Sequence, residues 1–217
     1  MSDCVRAVRA KHADMKDGDV FVLNNPYAGG THLPDITVVT PVFIAGEAKF
    51  FTASRGHHAD VGGITPGSMP PGSRTLNEEG LLLDNVHLVR NHVFQEDAIR
   101  AILAQGPHPA RNIPVNLADL RAQAGANAKG AAELRRAVDS YGVATVVAYM
   151  SHVQDHAAEA VRRLLVRLKS GQFTCPTDEG GTVKVAITVD PTRRQAVIDF
   201  TGTSDQRPSN FIAPSAV

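Results

Sequence analysis

Two consecutive segments repeat their apolar residues at helical spacing, and they form the longest regular pattern in the chain. The first begins at Asn116, a residue type that caps helices, and stops at Tyr141-Gly142. The second ends at Ser170-Gly171. Its apolar stripe consists of Val146, Met150, Val153, Ala157, Val161, Leu164 and Leu168. The two patterns predict a central pair of long helices.

The segments on either side of this pair carry strand signals, in which β-branched and apolar residues run between turn residues. A short helix over residues 2–14 precedes them. The predicted strands are residues 19–24, a hairpin of 36–43 with 48–54 around Ala45-Gly46-Glu47, and a second hairpin within 182–202. We therefore expect a mixed α+β fold, a sheet region with a central pair of long helices, in an incomplete domain.

Composition argues against several classes of partner and compartment. The 22 basic residues balance the 22 acidic residues, so net charge gives no reason to expect nucleic acid or a membrane surface as partner. Cys4 and Cys175 stand alone, which fits a reducing cytoplasm better than a disulfide framework. No signal peptide and no apolar run long enough for a membrane span are visible. We expect a cytoplasmic protein.

The strongest candidate for chemistry is a pair of short motifs, His32-x-x-Asp35 and His57-His58-x-Asp60. The first precedes one predicted strand and the second follows the strand that pairs with it, so both are expected at one end of the sheet. Imidazole and carboxylate ligands suit Mn²⁺, Zn²⁺ or Fe²⁺. Adjacent side chains of an extended backbone point to opposite sides, so either His57 or His58 is expected to be a ligand.

Other polar residues are open to two interpretations each. Residues 56–80 are dense in Gly, Pro and Ser, which indicates either a functional loop or a disordered linker. Glu78 and Glu79 suit a general base or an ammonium-binding pair, although solvated acids at the start of an element are the simpler interpretation. Arg111-Asn112 suits an anion site or a polar loop that anchors the following helix.

Several of these segments together resemble the hydantoinase B/5-oxoprolinase family. The resemblance covers essentially the whole chain, and its motifs are long and occur in the family's order. The matching segments are residues 18–35 (GDVFVLNNPYAGGTHLPD), 54–63 (SRGHHADVGG), 66–71 (PGSMPP), 77–80 (NEEG), 109–112 (PARN), 116–123 (NLADLRAQ) and 199–204 (DFTGTS).

The resemblance implies an activity, a metal and a partner. Members of this family open cyclic amides such as 5-oxoproline or hydantoins, and many use ATP through a separate A-type subunit or domain. In related carboxylases a divalent metal lies on residues that match His32, Asp35 and His57, which favours His57 over His58 as the ligand. His58, Asp60 and Glu79 are then the expected catalytic residues that handle protons.

The resemblance also sets the expected boundaries and the alternatives. Residues 1–217 correspond to part of the family's domain, with portions at both ends missing, and we expect the whole protein to be an oligomer. A B-type subunit of an acetone or acetophenone carboxylase is the first alternative, because it shares the metal residues. An inactive fragment that serves only in subunit assembly is the second.

Overall fold

The computed structural model describes residues 1–178 and 180–208, which divide into two compact units, residues 1–136 and 137–208. The elements of the first unit are α1 (Ser2–Lys11), β1 (Val20–Leu23), β2 (Asp35–Ile44), β3 (Glu47–His57), α2 (Leu76–Glu79), β4 (Val86–Arg90), β5 (Val93–Phe94), α3 (Glu96–Leu103) and most of α4 (Ile113–Tyr141). Those of the second are the end of α4, α5 (Val143–Leu165), β6 (Gly171–Pro176), β7 (Thr182–Asp190) and β8 (Gln195–Asp199).

The first unit is built on a five-stranded antiparallel sheet with the strand order β3-β2-β1-β4-β5. Its longest pairing is the β2–β3 hairpin, which turns at Ala45 and Gly46, both with positive φ. The hairpin's register pairs Asp35 with His57 and Ile36 with Gly56. The first residue of β2 and the last residue of β3 therefore lie side by side.

Both faces of this sheet are covered, and β1 shows how. Val20 and Val22 belong to a large apolar cluster that also includes Leu103 of α3 and Leu120 of α4. Phe21, from the opposite face of β1, belongs to a smaller cluster with residues of α1. Alternate side chains of one strand thus face two different helical layers, as the two-residue period of a strand requires.

The second unit contains the three-stranded antiparallel sheet β6-β7-β8 and the whole of α5. The helix α5 forms where its apolar stripe predicts it, but no residue of this helix is buried. Val153, for example, is 67% exposed and Val161 is 56% exposed. Across the described residues, 1–178 and 180–208, no helix has the length and apolarity needed to cross a membrane.

The predicted α+β class is confirmed, with both long helices and both hairpins in place. The first long helix ends at Tyr141 as predicted, but the predicted start at Asn116 is wrong. It begins at Ile113, where the Asn112 carboxamide oxygen accepts the Val115 N–H at 3.4 Å, so Asn116 lies inside the helix rather than at its cap. Five short elements, α2, β4, β5, α3 and β6, were not predicted from the sequence.

Leu120 provides a direct test of how α4 is held to the sheet. It is fully buried in the large cluster, so Leu120→Ala should lower the free energy of unfolding by about 2–5 kcal/mol through lost burial and a cavity. Val115, on the same helix, is 43% exposed, and Val115→Ala should change it by less than about 0.5 kcal/mol. Urea unfolding followed by circular dichroism measures both, and equal effects would contradict this packing.

Candidate metal centre

Three of the residues singled out in the sequence converge at the open end of the β2–β3 hairpin. One ligand atom from each of His32, Asp35 and His57 lies within 4.8 Å of the other two. The His57 Nδ1 atom is 2.8 Å from Asp35 Oδ1, and the rings of His32 and His57 are 5.5 Å apart. Thr31 donates its hydroxyl to the second oxygen of Asp35 at 3.2 Å.

The backbone explains why these three side chains meet. Asp35 and His57 are cross-strand partners, which places their side chains on the same face of the hairpin. The Asp35 N–H donates to the His32 carbonyl at 2.9 Å, so the chain turns back just before β2 and brings His32 to the same corner. The cluster therefore follows from one strand register and one turn.

The loop that leads to His32 is anchored on both sides. Asn24 is buried, and its amide donates to the carbonyls of Leu33 and Leu81, both at 2.9 Å. Gly30 lies so close to the end of β1 that a Cβ there would sit 2.6 Å from the Asn24 carbonyl oxygen. Only glycine fits at that position, which ties the position of His32 to the preceding strand.

The donor set suits a catalytic type of divalent metal. Two imidazoles and one carboxylate match the ligands that Zn²⁺, Mn²⁺ and Fe²⁺ use, and three protein ligands leave coordination positions open. The side chain of His57 is 55% exposed and that of Asp35 is 28% exposed, so this corner is open to solvent. The chemistry of the three donors thus fits a metal that a substrate can reach.

His58 faces the other way and is 2% exposed. Its Nε2 lies 3.1 Å from the Gln123 carboxamide oxygen, and its Nδ1 lies 3.1 Å from the Asn116 carboxamide nitrogen. Burial lowers the pKa of His58 below the usual histidine value, while the hydrogen bond to Gln123 opposes that shift. The predicted divergence of His57 and His58 is confirmed, and His57 is the one that joins the cluster.

Asp60 organises the glycine-rich loop. Its carboxylate accepts the backbone N–H groups of Gly62, Gly67 and Arg111, each at 3.0 Å, and the Arg111 guanidinium at 2.7 Å. Arg111 also donates to the Gly63 carbonyl at 2.8 Å, so it anchors this loop, and the predicted roles in binding an anion or anchoring the following helix stay predictions. Burial alone raises the pKa of Asp60, but the hydrogen bonds from Arg111, Gly62 and Gly67 outweigh it and lower that pKa overall.

Glu78 and Glu79 differ in what they contact. The Glu78 carboxylate accepts the N–H groups of Arg74 and Thr75 and completes a capping box for α2, so the simpler interpretation is correct for Glu78. Glu79 accepts the Ser73 hydroxyl at 2.8 Å. His58, Asp60 and Glu79 all lie outside the metal-type cluster, and their catalytic roles stay predictions.

Two residues next to this site were missed as site residues. Asn116 and Gln123 are seven residues apart, two turns on the same face of α4, and Leu120 between them is buried. That spacing places polar amides on a core-facing surface, which is a signal for buried hydrogen bonds. Their target on the β2–β3 hairpin depends on tertiary structure and is not visible in the sequence.

The hydantoinase B/oxoprolinase family model matches residues 1–217. The chain belongs to this family. It is 42% identical to 5-oxoprolinase 1 of Arabidopsis thaliana over 245 residues and 37% identical to 5-oxoprolinase of Saccharomyces cerevisiae over 231 residues, with all of this chain covered in both cases. It spans only 19% and 18% of those two relatives.

Two solved structures share the fold. The ATP-dependent caprolactamase from Pseudomonas jessenii aligns with a TM-score of 0.76 and 28% identity, covering 95% of this chain and 36% of that one. A nucleotide-free structure of acetone carboxylase aligns with a TM-score of 0.81 over 94% of this chain and 29% of that one. At 16% identity, the acetone carboxylase likeness concerns the fold alone.

Acid stability tests the role of Asp60 in the loop. Because its folded-state pKa is lowered, its contribution to stability is present above the unfolded pKa and is lost as the pH falls through the folded pKa. Asp60→Asn should therefore destabilise the protein at neutral pH, and the gap to wild type should narrow as the pH falls below about 4, the usual pKa of an aspartate. Urea unfolding across this range measures the gap.

Asp178→Asn, at an exposed position, serves as the control and should leave stability near wild type at neutral pH. A gap between wild type and Asp60→Asn that stays constant down to the lowest pH would show that the Asp60 charge does not hold the loop.

Proposed function

We propose that this chain provides the metal-binding part of an enzyme that opens a cyclic amide, such as 5-oxoproline or a hydantoin, in a reaction coupled to ATP. The convergence of His32, Asp35 and His57 at a solvent-open corner carries the proposal. Membership of the hydantoinase B/oxoprolinase family and the high identity to named 5-oxoprolinases support the substrate class. The caprolactamase likeness supports the use of ATP, since that enzyme is described as ATP-dependent.

The chemistry explains why both a metal and ATP are expected. Amide resonance makes a lactam carbonyl a poor electrophile, and phosphorylation of the carbonyl oxygen by an A-type subunit or domain would activate it. A divalent metal at the site would polarise that oxygen or lower the pKa of a bound water. His32, Asp35 and His57 would hold the metal, and Thr31 would orient the Asp35 carboxylate through its hydroxyl.

Glu79 and Asp60, which were also predicted to be catalytic, differ in how well their contacts fit that role. Glu79 has a carboxylate positioned by Ser73 and remains our candidate for proton transfer. Asp60 makes four hydrogen bonds that stabilise the loop, which supports an anchoring role more than a catalytic one. The proposed partners are an A-type subunit that uses ATP and a small cyclic amide, in an oligomeric cytoplasmic enzyme.

A B-type carboxylase subunit is the second candidate, and the fold shared with acetone carboxylase fits it. The two candidates share the proposed metal residues and differ in the co-substrate. A panel of 5-oxoproline, hydantoin and acetone, each with ATP and with or without bicarbonate, separates them. Ring opening without bicarbonate supports the hydrolase, and ketone consumption that requires bicarbonate supports the carboxylase. A protein that forms a complex with its partner but turns over none of these fits a role in assembly alone.

The metal ligands are tested by His32→Ala in the full-length protein. This variant removes one of three donors, so bound metal should fall to near background and turnover should fall with it. Elemental analysis and a coupled ATP assay give the two measurements. His152→Ala is the matched control, because His152 is exposed on α5 and belongs to the other compact unit.

Wild-type metal content in His32→Ala would contradict the assignment, whatever happens to turnover. Loss of turnover alone does not distinguish a ligand from a residue that contacts substrate, so the metal content decides.

A further inference from the structure

His58 connects the proposed metal site to α4. Its backbone N–H donates to the Pro34 carbonyl at 2.8 Å, directly beside Asp35. Its side chain points into the protein, while the neighbouring His57 points to the open corner. Hydrogen bonds that hold the His58 ring in place therefore also hold the backbone at the neighbouring His57.

The Gln123 amide has only one orientation that satisfies its neighbours. Its nitrogen is 3.0 Å from the Ile36 carbonyl oxygen and 3.4 Å from that of Ser54, and two carbonyls can only accept. The amide oxygen must then face His58, whose Nε2 is 3.1 Å away and must donate. Gln123 thus bridges β2, β3 and the His58 ring.

The Asn116 amide, on the other side of the ring, also has only one orientation that satisfies its neighbours. Its nitrogen donates to the Asp60 carbonyl at 2.8 Å, which fixes its orientation. The same nitrogen lies 3.1 Å from His58 Nδ1, so Nδ1 must accept. The two amides together require the neutral His58 tautomer with its proton on Nε2, and both ring nitrogens are engaged.

Gly56 makes the approach of Gln123 possible. A Cβ at this position would lie 3.3 Å from the Cδ and Nε2 atoms of Gln123, closer than carbon atoms normally pack. Gly56 has no positive φ, so its backbone does not require glycine. The missing side chain is therefore explained by the space that Gln123 occupies.

We infer that Gln123 and Asn116 are positioning residues, which act through His58 to set the geometry of His57 and Asp35 in the metal site. On this inference His58 is itself a positioning residue rather than the general acid or base, because neither ring nitrogen is available for proton transfer to a substrate. The inference rests on the proposed metal site and extends it to α4. Partners of this kind, which orient metal ligands without touching the metal, typically change metal affinity when they are removed.

The test compares Gln123 with Asn127, one turn further along α4. Asn127 is buried, whereas Gln123 is half-buried. The Asn127 amide donates to the Val38 carbonyl at 2.9 Å, but it makes no hydrogen bond to His58. Gln123→Met and Asn127→Leu each remove a side-chain amide with little change of volume. Both should destabilise the protein, and only Gln123→Met should weaken Mn²⁺ or Zn²⁺ binding, by about 10-fold or more.

A second variant separates positioning from general damage. Gly56→Ala adds one methyl group that pushes the Gln123 amide, while alanine itself is favourable in an extended backbone. Metal affinity should fall while the unfolding temperature stays close to that of wild type. In His58→Phe, metal affinity should also fall, and kcat should recover substantially at saturating metal, which would not happen if His58 transferred a proton.

Metal titrations of the full-length protein, with thermal unfolding of each variant, give the answer. If wild type binds metal and Gln123→Met binds it within about two-fold of wild type, the inference is overturned and the metal site stands. The same holds if Asn127→Leu weakens binding as much as Gln123→Met does. If wild type binds no metal, the proposed function fails and the inference fails with it.

Discussion

The register of the β2–β3 hairpin is the constraint on which the candidate site depends. Asp35 and His57 meet only because they are cross-strand partners. A slip of one residue would turn His57 into the protein and His58 out to the solvent, because side chains alternate along a strand. Buried residues on both faces of β2, such as Ile36 and Val39, oppose such a slip, since it would move each of them out of the cluster in which it packs.

The irregularity in the β2–β3 pairing lies away from the candidate site. Its register shifts once, between Val42 and Phe43, close to the turn at Ala45-Gly46. From Pro41 to Asp35 the pairing with β3 is uninterrupted. The bulge can therefore adjust the twist near the turn, while the ladder that leads to Asp35 and His57 keeps a fixed phase. Side-chain amides of α4 form hydrogen bonds to the same end of the hairpin and hold it in place.

The residues that sequence analysis found and those it missed differ in the range of their interactions. His32, Asp35 and the pair His57-His58 were found because each lies next to a strand end, and strand ends follow from local alternation and turn residues. The family resemblance then favoured His57 over His58. Gln123 was missed because its role depends on an amide reaching Ile36, 87 positions away along the chain. Asn116 was misassigned as a helix cap for a related reason. Its residue type suits a cap, but its partners His58 and Asp60 are supplied by tertiary structure.

The openness of the proposed site limits what this chain contributes to catalysis. Preorganised dipoles stabilise a developing charge best where water is excluded, yet the His57 side chain is 55% exposed. The buried hydrogen bonds lie behind the cluster, around His58, and not over it. On the proposed function, the chain would supply rigid ligand geometry, and the driving force for opening a stable amide would have to come from elsewhere. Activation of the substrate by phosphorylation would meet that requirement, because it would weaken the amide before the substrate reaches this corner. A surface that closes over the cluster and excludes water would be a second way to meet this requirement. The relatives are much longer than this chain, so they have room for such a surface.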